Sequence, residues 1–508
     1  MERSLNIGRG SWGIIAAMFL GCGINSPSAK SFNPADHGAV ADGSTVCTEA
    51  IQKAIDAAAK AGGGTVVFPK GTFLTGAVFL KSNVELRLDE GVVLQAVQDD
   101  AAFPDIWSRV AGVEMMWPAA VINVQGQTNV SITGKGTLDG NGDFWWHKFW
   151  GEDGQGGMLK DYKARDLRWA VDYDCKRVRA LLVYDSKDIK ISDITILRSG
   201  FWSLTLTYCE RVTVDGVIIR ANVGGHGPSS DGIDIDSSRD VLVQNCDIDA
   251  NDDNICLKAG RDADGLRVNR PTENVIIRNC ITRAGSGMLT IGSETSGGIR
   301  NVEVSNMKAI GTKCGVRFKS AKIRGGVVEN IVIRDVVMED VDRAFEMEMN
   351  WYPSYSLPVI PPGMKADEIP AHWKVLLEPV VPASRGIPEF RNIAISNVSA
   401  KGAGQAFVAN GFSEKPIRDV RLTNITIEAA SAGRVKHAAD WKMKDVVVKA
   451  ADGKPLALEN CSEVDKPLIV TRAHQDELEG RPVPGRARVE AHAGQTLPRS
   501  SNVAEAHP

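Results

Sequence analysis

The segment VIIRNC, residues 275–280, decides the fold because its pattern returns along the chain. It reappears as VEVSNM at 302–307 and as IVIRDV at 331–336, so these copies lie 27 and 29 residues apart. Each copy alternates apolar and polar residues, which is typical of a short β-strand with one buried face. Each strand ends on Asn, Asp or Gly, the residues that best tolerate a left-handed backbone. Further copies begin at residues 130, 189, 212, 241, 393 and 420.

A repeat of this length predicts an all-β parallel β-helix, in which each copy forms one coil. Strands at the same position of successive coils then stack as rungs, ~4.8 Å apart. The Asn and Asp residues that end the strands stack as a ladder along one turn. Cys246 and Cys280 occupy the same rung position, where we expect them to be small buried apolar groups with free thiols.

A second alternating strand follows in each coil and separates an inward from an outward face. Ile233 and Ile235, and likewise Ile255 and Leu257, are predicted to stack inside. The residues between them face outward, so that charges of both signs collect on one face over consecutive coils. The predicted outward residues are Asp234, Cys256, Lys258, Thr290, Arg317, Lys319, Glu346 and Glu348.

The ends of the chain differ from its repetitive centre. Residues 48–61 are predicted to form a short amphipathic N-terminal capping helix, ended by three glycines, that covers the open end of the solenoid. The apolar run at about residues 12–24 is shorter than the ~20 residues of a membrane span and suits an export signal. We divide the chain into a signal peptide or lipoprotein leader (1–29), a cap with the first coils (30–122), the β-helix domain (123–463) and a tail (464–508).

This organisation predicts an exported protein, either periplasmic, bound to the cell surface as a lipoprotein, or secreted, with no integral membrane span. The net charge of −4 and the absence of a basic run argue against nucleic-acid binding. We expect a monomer.

Two long insertions interrupt the coils, at about residues 141–178 and 351–390. Long loops on a rigid scaffold are often functional. Their aromatic rings either stack on sugars or pack the loops onto the coil, and the sequence leaves both open. These rings belong to Trp145, Trp146, Trp150, Trp169, Trp351, Tyr352 and Trp373.

Three aspartates precede strands of adjacent coils. Asp231 enters one strand, and Asp252 and Asp253 enter the next strand about one coil later, so all three are predicted to cluster across two rungs. Crowded carboxylates push their pKa values apart, so that one stays a proton donor while another stays a base. Glycoside hydrolysis needs such a pair, ~6.5–9.5 Å apart in inverting enzymes. A calcium site or a solvated turn is the alternative.

With these residues in view, the sequence resembles the polygalacturonase-type glycoside hydrolases of family 28, which are right-handed parallel β-helices that hydrolyse pectin. The resemblance runs from about Phe32 to Leu458. The family's Asn-Thr-Asp, Gly-Asp-Asp and Arg-Ile-Lys motifs fall on residues 229–231 (SSD), 251–253 (NDD) and 317–319 (RFK).

The resemblance implies a role for each matched residue. Asp252 is the general acid, and Asp231 with Asp253 holds and deprotonates the attacking water, which gives inversion. Arg317 and Lys319 bind the carboxylate of a pectic polysaccharide or oligosaccharide. No metal or cofactor is implied.

One departure from the family concerns its Gly-His-Gly motif, which is Gly285-Ser286-Gly287 here. Ser286 and the outward-facing Lys258 complete the predicted substrate-binding set. His226 is either a partial spatial substitute for the missing histidine or an ordinary turn residue. The change suggests an exo-acting or rhamnogalacturonan-type enzyme rather than plain endo-cleavage.

Arg261, Arg267 and Arg270 follow the acid pair. They form either a rim for an anionic uronate or salt bridges to the nearby acidic residues.

Two other functions stay open at this point. One is a calcium-dependent pectate lyase on a similar solenoid. The other is a non-catalytic carbohydrate-binding β-helix, which the serine at position 286 keeps in consideration.

Overall fold

The computed structural model describes residues 30–152, 156–365 and 367–470, and these form a right-handed parallel β-helix. Three parallel sheets run along its axis, and each coil adds one strand to each sheet. We call them the front, middle and back sheets, in the order in which the chain visits them within a coil. The predicted fold is confirmed.

The front sheet contains the second strand of each repeat, and the aspartate cluster lies on it. Its separate strands are Val78–Leu80, Ile122–Gln125, Leu181–Tyr184, Leu204–Thr207, Ile233–Asp236, Asp253–Lys258, Gly287–Ile291, Cys314–Lys319, Arg343–Glu348 and Ala457–Glu459.

The repeat first described at residues 275–280 forms the strands of the middle sheet and the turn that leads into the back sheet. The separate middle strands are Ser31–Phe32, Gly64–Val67, Val84–Arg87, Thr128–Thr133, Lys187–Ser192, Glu210–Asp215, Arg239–Gln244 and Ser462–Val464. The separate back strands are Asp42–Val46, Gly71–Thr75, Val92–Ala96, Thr137–Asp139, Thr195–Leu197, Ile218–Arg220, Asp247–Asp249 and Leu468–Val470. Longer strands turn from the middle into the back sheet, and two also reach the front sheet: Thr272–Arg283, Ile299–Ile310, Val327–Glu339, Glu389–Asn410, Ile417–Lys436 and Ala438–Ala450.

The register of the rungs follows the sequence repeat. Val275 pairs with Val302, and Val302 pairs with Ile331. All three side chains are buried in one continuous apolar core that runs the length of the coil. Burying a side chain of this size stabilises the folded state by about 1.5–3 kcal/mol. The repeat therefore sets both the strand order and the core.

Asparagines stack at the turn between the middle and back sheets, as predicted. Asn245, Asn279 and Asn306 have left-handed φ angles of 56°, 57° and 53°. The side-chain amide of Asn279 donates to Asn245 at 3.2 Å, and that of Asn306 donates to Asn279 at 2.9 Å. A second asparagine ladder, which the sequence analysis did not predict, lies near the start of the middle strands. It contains Asn274, Asn301, Asn330 and Asn392.

The predicted capping helix is present as Thr48–Lys60. Its buried face, which includes Ala54, Ile55 and Ala58, belongs to the same apolar core as the coils. The helix therefore closes the N-terminal end of the solenoid.

The two insertions and a hairpin cover the front sheet. The hairpin pairs Asp105–Val110 with Val113–Pro118 in antiparallel fashion. The first insertion contains helices Asp143–Trp150, Gly157–Ala164 and Val171–Asp174, and the second contains Pro353–Ser356 and Ala371–Leu376. A further helix spans Asp262–Val268, and short 3-10 helices span Pro34–His37, Asp100–Ala102 and Ala383–Gly386.

Most aromatic rings of the insertions pack rather than face a ligand. Trp145, Trp146, Trp169 and Trp373 are buried. Trp169 donates a hydrogen bond to the carbonyl oxygen of Val359 at 3.0 Å, and its ring lies 5.0 Å from that of Trp373. The prediction that these rings stack on sugars is therefore wrong for these four, because they join the two insertions to each other and to the coil.

The eight cysteines of the described ranges are free thiols, as expected for Cys246 and Cys280. The predicted leader (1–29) lies outside the described residues, and so does the part of the predicted tail (464–508) that follows residue 470. Up to Val470 the chain still winds, since Leu468–Val470 pairs with the strand Ala438–Ala450. None of the described helices is long and apolar enough to cross a membrane.

Candidate active site

The coil brings the predicted aspartates together. Ile233 pairs with Ile255, and the amide of Gly232 donates to the carbonyl oxygen of Asp253 at 2.9 Å. Asp231 and Asp253 therefore lie on adjacent rungs at the entrance to the front sheet, where they are 3% and 1% exposed. Both are buried on the outer side of the sheet, beneath the insertions, and neither belongs to the apolar core.

Asp253 is held by side chains from the following rungs. It accepts hydrogen bonds from Thr290 Oγ1 at 2.6 Å and from Lys319 Nζ at 2.7 Å, and Arg317 Nη1 lies 3.6 Å away. Burial alone would favour the neutral acid, but the charges of Lys319 and Arg317 outweigh it and hold the pKa of Asp253 below its usual range. Asp253 is therefore a fixed carboxylate.

Asp231 has the opposite electrostatic environment. Burial, and then the neighbouring charge of Asp234, raise the pKa of Asp231 well above its usual value, although Lys258 opposes the shift. Burial also raises the pKa of Asp234 to about 7. Lys258 Nζ lies 3.4 Å from a carboxylate oxygen of each. The site thus contains one carboxylate that stays ionised and a buried pair that takes up protons readily.

Asp252 is the most accessible of the three. It is half-buried and faces the same pocket as Asp231 and Asp253. Within the described ranges its carboxylate has no ion pair, whereas its backbone oxygen accepts the amide of Ser286 at 2.9 Å. Its side chain is the one free to approach a bound ligand.

The pocket has a cavity volume of about 70 Å³ and is partly open to solvent. Its floor is the front sheet, with the three aspartates, Lys258 and Lys319. Its walls come from the insertions and from neighbouring loops. The wall residues are Ala111, Arg168, Asp172, Phe201, Trp202, Ser229, Ser293, Glu294, Trp351 and Tyr355.

Several wall residues were missed by the sequence analysis. Glu294 lies 3.5 Å from Lys258, and although burial opposes ionisation, Lys258 and Arg324 lower its pKa to about 2. The alternation that marks the front strands ends at Ile291, so it carried no signal for Glu294. Arg168 and Asp172 lie in an insertion without any repeat.

The predicted substrate-binding residues have different positions. Lys258 and Lys319 face the pocket, and Trp351 lies over both Lys319 Nζ, at 4.4 Å, and the Arg317 guanidinium, at 5.7 Å. Ser286 is half-buried beside Asp252 and is not among the residues that line the pocket. Substrate binding by these residues stays a prediction.

His226 and the arginines that follow the acid pair lie elsewhere. His226 is exposed in a turn, edge-on to Trp150 at 6.4 Å, which fits an ordinary turn residue. Arg261 is fully buried, where it pairs with Asp262 and donates to the Tyr173 hydroxyl. Arg267 pairs with Asp264 at 2.7 Å, and Arg270 donates to the Tyr208 carbonyl oxygen at 2.8 Å. The prediction that these arginines form a rim for a uronate is therefore wrong.

The acid cluster is poorly suited to calcium. Asp231, Asp234 and Cys256 present ligand atoms within 4.8 Å of one another. However, Ca²⁺ takes six to eight oxygen ligands, and a thiol is a poor substitute. The Lys258 ammonium, 3.4 Å from both carboxylates, already supplies the positive charge that a cation would bring.

Comparison with known proteins agrees with this geometry. The sequence profile described as "Glycosyl hydrolases family 28" matches residues 63–363. The chain belongs to this family. It is 31% identical to a probable polygalacturonase of Vitis vinifera over 429 residues, which cover 82% of this chain and 78% of the relative. These findings confirm the predicted family and make the chain a pectin-cleaving glycoside hydrolase.

Two further proteins with pectin-related names are similar to the chain. The chain is 29% identical to an exo-poly-alpha-D-galacturonosidase of Dickeya chrysanthemi, over 61% of this chain and 56% of the relative. The crystal structure of a hyperthermoactive exopolygalacturonase from Thermotoga maritima superposes with a TM-score of 0.67 at 26% identity, and covers 86% of this chain and 92% of that one.

Proposed function

We propose that the enzyme is an exo-acting, inverting galacturonidase that removes sugars from the end of a pectic chain. The observation that carries the proposal is the form of the site: three aspartates on two rungs face a pocket that the insertions wall in. A polymer threads through an open cleft, whereas a walled pocket takes a chain end. The exo-acting names of the relatives from Dickeya and Thermotoga support this mode of cleavage.

Asp252 is the proposed general acid. Its carboxyl group is the accessible one, so it can reach the glycosidic oxygen and protonate the leaving group. A positioned acid or base of this kind contributes about 10²–10⁴-fold to a rate.

Asp253 and Asp231 are the proposed residues that position and deprotonate the attacking water. Asp253 is held rigidly by Thr290 and Lys319 and stays ionised, which suits a hydrogen-bond acceptor for water. Asp231 has a raised pKa, so it accepts a proton readily when water attacks. Attack from the face opposite the leaving group inverts the anomeric centre.

Lys319 and Arg317 are the proposed ligands of a substrate carboxylate, with Trp351 over them as an apolar surface for a sugar ring. Lys258 is buried between Asp231, Asp234 and Glu294. We assign it to holding the acids in place, with any contact to the sugar made through the small part of it that faces the pocket.

The test is digestion of defined galacturonate oligosaccharides by the purified full chain, with products analysed by mass over time. The expected result is stepwise release of single galacturonates, unchanged by a calcium chelator. Early appearance of mixed oligosaccharides would contradict exo-action. Unsaturated, ultraviolet-absorbing products that vanish with the chelator would instead identify a lyase, and binding without turnover would identify a carbohydrate-binding protein.

We also propose that the enzyme is exported and acts as a monomer. Fractionation of expressing bacterial cells and light scattering of the purified chain test these two points. Cytoplasmic retention or a stable dimer would contradict them.

A further inference from the structure

Arg168 is a pocket residue that no family motif covers. It lies in the first insertion, between the helices Gly157–Ala164 and Val171–Asp174. It lines the same pocket as the three aspartates. Its guanidinium carbon lies 5.4 Å and 5.1 Å from the ring centroids of Tyr352 and Tyr355, which come from the second insertion. Both insertions therefore cooperate to hold one cation at the pocket wall.

The charge of Arg168 is only partly neutralised. Its Nη1 donates to Asp172 Oδ2 at 2.6 Å, but the other oxygen of Asp172 accepts Arg177 Nη2 at 3.0 Å. Two guanidinium groups thus share one carboxylate. Arg177 is fully buried, so the surplus positive charge is available to a ligand only through Arg168, whose side chain is 17% exposed.

Arg168 also has donors to spare. Within the described ranges it donates a single hydrogen bond, the one to Asp172. A guanidinium offers five N–H groups in a planar fork that matches a carboxylate with two parallel bonds. The aromatic rings of Tyr352 and Tyr355 fix the plane of the fork, which reduces the entropy lost when a ligand binds.

The position of Arg168 along the solenoid axis is set by its partner. Asp172 Oδ1 lies 3.5 Å from Ser229 Oγ, next to the turn that presents Asp231. Lys319 and Arg317 lie on the strand Cys314–Lys319, three rungs beyond the strand that follows Asp231. At ~4.8 Å per rung, the backbone of Lys319 and Arg317 therefore lies roughly 14 Å farther along the axis than the strand after Asp231. Their side chains reach back to Asp253. Arg168 thus lies on the Asp231 side of the acids, and Lys319 and Arg317 lie on the Asp253 side.

A galacturonate chain carries one carboxylate per sugar, and the sugars on the two sides of the cleaved bond lie on the two sides of the acids. We propose that Arg168 binds the carboxylate of one of these two sugars, while Lys319 and Arg317 bind that of the other. This assignment rests on the proposed function. It makes Arg168 a specificity residue that selects a free uronate over a methyl ester or a neutral sugar at its position.

The experiment compares the wild type with Arg168→Gln on three substrates: digalacturonate and its two singly methyl-esterified forms. Arg165→Gln is the matched control, because Arg165 belongs to the same insertion and lies over Tyr162, but it pairs with Asp161 on the surface. In the wild type and in the control, either ester is expected to lower kcat/KM. In Arg168→Gln, kcat/KM for digalacturonate is expected to fall roughly 10–100-fold, the range for loss of a charged hydrogen bond. Methyl-esterification of the sugar that Arg168 binds is then expected to lower kcat/KM no further, whereas the other ester still lowers it.

An equal loss on all three substrates, with sensitivity to both esters retained, would overturn the inference and leave the proposed function intact. If Arg168→Gln does not fold, the wild type still decides: an enzyme that is indifferent to one of the two esters has no carboxylate ligand at that sugar, which overturns the inference. A wild type that cleaves none of the three substrates would reject the proposed function itself and the inference with it.

Discussion

Two polar columns run along the same solenoid and differ in composition. At the turn between the middle and back sheets, asparagine recurs, with Asp335 on the rung after Asn306, and Asn245, Asn279 and Asn306 are hydrogen-bonded to one another rung by rung. On the front sheet the residue changes at every rung. The register there stacks Thr205, Asp234, Cys256, Thr290, Arg317 and Glu346.

The two columns also differ in how completely their polar atoms are satisfied. Among the described residues, Thr205 Oγ1 and Asp234 Oδ2 are buried without a hydrogen-bond partner, and Asp234 Oδ1 has only the Lys258 ammonium, 3.4 Å away. An unsatisfied buried polar group costs about 1–3 kcal/mol, so stability alone does not explain the front column. In this solenoid, the ladder of recurring Asn and Asp residues therefore marks structure, and the column of changing, partly unsatisfied polar residues marks a site.

Asp252→Asn should give the largest effect and sharpen this contrast. Loss of the proposed general acid should lower kcat about 10²–10⁴-fold, while stability stays unchanged because the carboxylate has no ion pair in the described ranges. Kinetics on digalacturonate and urea denaturation measure the two effects. A rate near that of the wild type would remove Asp252 from the mechanism.

Asp234→Asn should shift the pH profile. Asp231 works as a base only above its pKa, and the charge of Asp234 is among the causes that raise this pKa. Removing that charge lowers the pKa of Asp231, so the acidic limb of kcat/KM should move to lower pH. Asp188→Asn, at a surface carboxylate paired with Arg211, is the control. A limb that stays in place or moves to higher pH would contradict the coupling.

Ser286→His should change specificity by a smaller amount. The residue lies beside Asp252 on the following rung and stands where the family has histidine. A histidine there would add a donor near the acid, so kcat/KM on polygalacturonate should rise several-fold relative to short oligosaccharides. An unchanged ratio between the two substrates would show that this position does not set specificity.

Asn279→Ala should affect stability alone. Alanine loses the ladder bonds and is strained at a φ of 57°, so the free energy of unfolding should fall by about 2 kcal/mol, with kcat/KM unchanged. Asn279→Gly, which relieves the backbone strain, should lose less. Reduced activity with normal stability would break the distinction between the two columns.

The repeat made much of the fold and part of the active site predictable from the sequence. Strand order, core residues and the meeting of Asp231 with Asp253 depend only on the period and on alternation, both of which are visible in the sequence. The outward orientation of Lys258, Arg317 and Lys319 followed from the same rule. What the rule did not reveal is that the insertions bury this face.

The walls of the pocket were not predictable because their contacts are long-range and not periodic. Trp169 meets Val359 across 190 residues of sequence. Arg168 becomes a pocket residue only through Asp172 and the tyrosines of the other insertion. The arginines near the acid pair were misplaced for a similar reason, since Arg261 is drawn into the interior by Tyr173 and Asp262.

The central claim is that adjacent coils assemble Asp231, Asp252 and Asp253 into an inverting hydrolytic site. The most direct test is proton NMR of α-linked digalacturonate during its first minutes with the enzyme, before the anomers equilibrate. The account predicts that the newly formed reducing end appears first as the β-anomer. Initial α-anomer would contradict it, and so would an unsaturated sugar.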